Sequence, residues 1–149
     1  MKHVALFLVL LPAFAAGPAG SADEDTRERR HELMEDKVGA AAKPVGNMLR
    51  GEAAFDADVL MASLRTFHEV SGEFGKLFPP GSEGGPDSRA APAIWEDRAG
   101  FDAALAEWRD AVEAALAAEP DSLDVARPAV GPVFNACKNC HDNYRLEDD

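Results

Sequence analysis

Residues 101–118 read FDAALAEWRDAVEAALAA. Phe101, Leu105, Trp108, Val112 and Ala115 step at +4, +3, +4 and +3, the seam spacing of a helix packed in a bundle. The spacing predicts a helix from about Ala93 to Ala118. Downstream, Glu119-Pro120-Asp121 ends it, and Asp121 or Ser122 can cap the next helix. That fourth segment runs to about Tyr144, with Val130, Val133, Phe134, Cys137, His141 and Tyr144 on one face. Pro128 and Pro132 predict that its regular part starts only near Gly131. Upstream, a loop of about a dozen residues holds Pro79-Pro80-Gly81, Gly84-Gly85-Pro86 and Pro92. Before it lies a helix capped by Asp56, with Val59, Leu60, Ala62, Leu64, Phe67 and Val70 as its apolar face. From about Asp23 to Leu49, Leu33, Val38 and Ala41/Ala42 again repeat at helical spacing. Pro44 predicts a kink or break there, and Gly51 a C-cap. No stretch alternates as a strand does. The fold class read from this pattern is all-α, an antiparallel up-down four-helix bundle.

The chain has 149 residues and a formal net charge of −12. The length suits one domain with a real core. The charge argues against nucleic-acid or anionic-membrane binding, both of which want a basic surface. Residues 1–22 read as a secretory signal: Lys2, an apolar run from Val4 to Leu11, then small residues with cleavage expected after Ala15 or Ala22. The run is too short for a membrane span, which needs about 20 apolar residues. The expected mature domain, 23–149, is then an exported acidic protein of the periplasm, where free thiols do not last. The acidic runs Asp23-Glu24-Asp25 and Glu147-Asp148-Asp149 are solvated ends, or a means of steering a basic redox partner.

Cys137-Lys138-Asn139-Cys140-His141 contains the only two cysteines. Residues i and i+3 share a helix face one turn apart, so two such thiols can add to the two vinyl groups on one edge of a haem. The next residue, His141, then turns its imidazole to the iron. C-x-x-C-H is a strong sequence signal for haem attachment. A structural disulfide, a redox-active pair or a zinc site stays open at this point. Against them, no βαβ unit is visible for a thioredoxin-like site, and zinc would need a fourth ligand from afar.

At these residues the sequence resembles the class II c-type cytochromes: cytochromes c′ and their low-spin, methionine-ligated relatives. The attachment motif near the C-terminus, with Asp142-Asn143-Tyr144-Arg145 after it, carries the resemblance. So do Lys43-Pro44, Met48 to Glu52 with Phe55-Asp56, Leu77-Phe78-Pro79-Pro80-Gly81-Ser82, and Pro92 to Asp97 with Phe101. The resemblance implies a left-handed bundle holding one covalent haem c, often as a homodimer. It implies Cys137 and Cys140 as anchors and His141 as the axial iron ligand. It further implies Arg145 as a basic residue beside the haem, where a guanidinium suits a propionate; a C-terminal charge countering the helix dipole is the plainer role.

The family's distal haem face is lined by the first helix, four residues after an Arg. Arg30 followed by Met34 fits, and a thioether sixth ligand would raise the potential and close the iron to small ligands. Counted back from Lys37-Val38-Gly39 or from Gly51, the same spacing falls on Glu35, which implies one additional residue in this helix. Met34 as plain core is the other reading. Met48, Met61, Trp95 and Trp108 read as packing, and His31 and His68 as exposed. No catalytic constellation is visible. Three functions follow in order: a one-electron carrier with His141 and Met34 on iron; a five-coordinate haem protein binding nitric oxide or carbon monoxide; and a haem-free helical partner-binding protein with a Cys137–Cys140 disulfide.

Overall fold

The computed structural model describes residues 19–85 and 88–147. The expected export signal falls outside the described residues except for 19–22, and so do Pro86 and the terminal Asp148 and Asp149. Four helical rods make the bundle. The first is continuous through three parts: α1 (Ala19–His31), a π-helical segment (Glu32–Gly39) and α2 (Ala40–Arg50). The second is α3 (Ala57–Glu73), prolonged by a 3-10 turn (Phe74–Leu77). A loop leads to the short α4 (Ala93–Glu96) and then α5 (Arg98–Ala117), which form the third. The fourth is α6 (Leu123–Tyr144). Among the described residues there is no strand beyond one isolated bridge, and no helix is long and apolar enough to cross a membrane.

Local chemistry sets the helix ends. Gly51 takes φ 77°, the left-handed conformation that glycine adopts freely, and its N–H donates to the Met48 carbonyl at 3.0 Å, closing α2. Asp56 caps α3 by accepting from the Val59 N–H at 3.0 Å. Asp97 caps α5 by accepting from the Gly100 N–H at 3.1 Å. It also breaks the predicted 93–118 helix in two, because its φ of −121° and ψ of 61° are not helical. Between α5 and α6 the turn rests on Glu119 at φ 42° and on a fully buried Pro120. The α6 helix opens at Ser122, whose carbonyl accepts from the Ala126 N–H at 2.8 Å; its side chain makes no cap.

Two proline expectations need correction. Pro128 and Pro132 both lie inside α6, which is regular from Leu123. Pro44 lies inside α2 without ending it. Each proline removes one backbone donor, at a cost of about 3 kcal/mol in an isolated helix. Here the flanking apolar face is fixed by the bundle: Ala126, Val130, Val133 and Ala136 of α6 are all buried. The first rod departs from α geometry upstream of Pro44, in Glu32–Gly39.

The core is one continuous seam. Leu33, Val45 and Met48 enter it from the first rod; Leu60, Leu64, Phe67 and Val70 from α3; Phe101, Leu105, Trp108, Val112 and Ala115 from α5. Burying each large apolar side chain is worth about 1.5–3 kcal/mol. Antiparallel order shows at both ends. At one, Arg127 of α6 donates to the Leu49 carbonyl at 3.3 Å. At the other, Tyr144 lies against Phe101 with ring centres 5.4 Å apart, and its hydroxyl donates to Asp97 at 3.3 Å.

Candidate haem site

The C-terminal turns of α6 carry the C-x-x-C-H motif at the Tyr144 end of the bundle. The buried stripe of α6 ends at Ala136, and Cys137, half-buried, packs against the core immediately after it. Cys140 follows one turn later, also half-buried, and both thiols are unpaired. Burial, and then the neighbouring Cys140, push the Cys137 thiol up to about 11. Burial also raises Cys140. A reactive or metal-binding thiol is usually shifted the other way, towards thiolate. Among the described residues no group of three or more His, Cys, Asp and Glu could hold a metal ion. Two thiols on one helix face, one turn apart and next to an imidazole, have the spacing that meets the edge of a haem.

His141 is exposed, but its ring is shielded enough for burial to lower its proton affinity. The charges of Arg145 and Arg89 lower it further, and Asp142 and Glu35 oppose them. A neutral imidazole is the form that ligates iron. His141 opens into a cleft of about 260 Å³ lined also by Arg89, Asp142, Arg145, Leu146 and Glu147. Arg145, one turn beyond the histidine, places Nη1 3.4 Å from its Nδ1, and its own N–H donates to the His141 carbonyl at 3.3 Å. A larger groove of about 380 Å³ follows Asp25, Glu28, Arg29, His31, Glu32 and Asp36, and shares no residue with this cleft.

The first rod carries Arg30, Met34 and Glu35, the residues the resemblance points to for the opposite haem face. Arg30 is buried, with Nε donating to the Leu77 carbonyl at 2.8 Å and Nη2 to the Ser82 carbonyl at 3.0 Å. Its guanidinium lies 4.5 Å from the Phe78 ring centre and 5.8 Å from that of Trp95. Arg30 therefore anchors the loop after α3. That loop is further held by Trp95 Nε1, which donates to Pro79 at 3.1 Å, and by Arg98, which donates to Phe78 and Gly75 at 2.8 and 2.9 Å. Met34 is half-buried and packs against the core; Glu35 is exposed, and its charge reaches His141. Both lie in the π-helical segment, the place where the sequence implies an additional residue.

Of the other residues singled out in the sequence, Met48 and Trp108 are buried, Met61 and Trp95 half-buried, and His31 exposed, as expected. His68 differs: it is half-buried and sits 3.2 Å from Glu113. Sequence reasoning missed Arg89. Its one signal was being the sole Lys or Arg between Lys76 and Arg98.

The Cytochrome C′ family profile matches residues 25–145. A cytochrome c′ of Rhodopseudomonas palustris is 36% identical over 126 residues, covering 85% of each chain. A cytochrome c-556 of the same organism is 34% identical over 128 residues, covering 83% of this chain and 85% of that one. A solved cytochrome c′ from Rhodopseudomonas palustris superposes with a TM-score of 0.79 at 35% identity, covering 84% of this chain and 98% of the other. The bundle, the motif at its C-terminal end and these similarities agree: the chain belongs to the cytochrome c′ family, monohaem c-type cytochromes of electron transfer with haem c as cofactor.

Proposed function

We propose that Cys137 and Cys140 anchor the haem as thioethers, that His141 is its axial ligand, and that Met34 closes the opposite side. The protein then shuttles single electrons in the periplasm after residues 1–22 are removed. The observation that carries this reading is the pair of neutral, half-buried thiols one helical turn apart beside His141. When bound, the haem supplies one-electron iron chemistry. The chain's own residues do the rest. The two cysteines fix the macrocycle to α6. His141, held neutral by partial burial and by two nearby guanidiniums, keeps a lone pair for the metal. Arg145 is the residue suited to a propionate carboxylate, as a charged fork rather than a point charge, whereas Arg30 spends its fork on the Leu77 and Ser82 carbonyls. Met34 and Glu35 both lie in the π-helical segment, and Met34 is the one with thioether chemistry. The acidic surface, net −13 once Lys2 leaves with residues 1–22, favours a basic redox partner by raising encounter rates.

The test is the protein matured in a periplasm that attaches haem c. Denatured mass should exceed that of the polypeptide by one haem, and Cys137→Ala or Cys140→Ala should weaken or abolish the attachment. A low-spin spectrum unmoved by carbon monoxide supports Met34 on iron. A high-spin spectrum that shifts with carbon monoxide gives the site to gas binding. A bare polypeptide mass overturns the attachment.

A further inference from the structure

Arg89 belongs to none of the sequence motifs, yet backbone pairing fixes it beside His141. Ala90 and Arg145 form an isolated antiparallel bridge. The Leu146 N–H donates to the Arg89 carbonyl at 2.8 Å, and the Ala91 N–H to the Tyr144 carbonyl at 3.1 Å. These bonds strap the loop before α4 to the chain that follows C-x-x-C-H. The Arg89 side chain, half-buried and with Nε fully shielded, lines the His141 cleft together with Arg145. Asp142 is ion-paired with Lys138, and Glu147 is exposed. Glu35 adds one carboxylate within electrostatic reach of the imidazole.

We propose that Arg89 is a second fixed cation, acting with Arg145 on the His141 side of the haem, and that it raises the reduction potential. The inference rests on the reading of His141 as the iron ligand. Reduction adds one negative charge to the centre. A positive charge held in a partly desolvated cleft therefore stabilises the reduced state more than the oxidised one. A guanidinium stays charged at every pH at which the protein folds, so the effect is constant. The strap also sets Arg89 apart from an ordinary surface arginine, whose charge water and salt would screen.

The experiment is a spectroelectrochemical titration of the haem-loaded protein at low ionic strength. It compares wild type, Arg89→Gln, Arg89→Ala and Arg89→Lys, with Arg50→Ala as control. Arg50 pairs with Glu52 at the opposite end of the bundle. Arg89→Gln and Arg89→Ala are expected to lower the midpoint potential, Arg89→Lys to restore most of it, and Arg50→Ala to leave it unchanged. Arg89→Gln keeps a hydrogen-bonding side chain, so the charge is tested even where alanine disturbs the loop. A Gln potential equal to wild type, or a Lys potential as low as that of Gln, overturns the proposal. The two failures are distinguishable. A wild-type protein without the added haem mass overturns the haem reading beneath it, whereas a haem-loaded protein with unmoved potentials overturns only the role of Arg89.

Discussion

The guanidinium carbon of Arg30 sits over the Phe78 ring, 4.5 Å from its centre, while two of its nitrogens donate to the carbonyls of Leu77 and Ser82. One side chain thus ties the first rod to the loop after α3. Arg30→Ala removes two charge-assisted bonds and a cation–π contact and leaves two carbonyls without that donor. Expected is a loss of about 2–4 kcal/mol, read as a lower denaturant midpoint. Arg30→Lys should recover part of it, since an ammonium cannot reach two carbonyls as a planar fork does.

Glycine substitutions should differ in sign along the chain. A Cβ at Gly100 would collide with the Asp97 carboxylate and approach the Tyr144 hydroxyl to 2.5 Å. Gly100→Ala is therefore expected to break the α5 cap and the Tyr144 contact, costing about 1–2 kcal/mol. Gly72, in α3, has nothing within 4 Å of such a carbon. There the alanine should stabilise by about 0.5–1 kcal/mol through helix propensity. Paired thermal melts check both; two changes of the same sign would contradict the packing at Gly100.

Alkaline stability should depend on whether the cysteines carry haem. The Cys137 thiol is held at about 11, above its ordinary value near 9, because burial disfavours the thiolate. Its folded value is raised, so the stability it contributes is complete below pH about 9 and is lost as pH climbs from there towards 11. The haem-free chain should lose about 2–3 kcal/mol across that interval. A thioether does not titrate, so the haem-loaded protein should show no such loss from this position. Urea melts of the two forms at pH 8 and pH 10.5 make the comparison.

Met34 and Glu35 are separable by spectrum. Met34→Ala should turn a low-spin protein high-spin and open the iron to carbon monoxide, while Glu35→Ala should leave the spin state as it was. An unchanged spectrum in Met34→Ala would return that methionine to the core, where its packing against the seam already places part of it.

Much of the bundle was legible in the sequence because seam spacing reports burial directly. Phe101, Leu105, Trp108, Val112 and Ala115 are all buried, as their steps of three and four predict. The Asp56 and Gly51 caps were legible too, since each rests on the chemistry of one residue. The prolines misled. Pro128 and Pro132 carry a local penalty, but whether a helix survives them is decided by α5 packed against α6, which no local rule contains. Cys137, Cys140 and His141 could be found by spacing alone. Arg89 could not: it reaches His141 through backbone pairing between segments more than 50 residues apart in the chain, and its neighbours hold no pattern.

The wide turns of Glu32–Gly39 bear on how this lineage can diverge. A π turn encloses one more residue per hydrogen-bonded ring than an α turn. A codon gained or lost there leaves Arg30 upstream and Val45 downstream with the neighbours they have, because the coil absorbs the change locally. On the haem face proposed for Met34 and Glu35, variation can therefore proceed by small insertions and deletions as well as by substitution, trading a sulfur for a carboxylate or a hydrocarbon while the rest of the scaffold stands still.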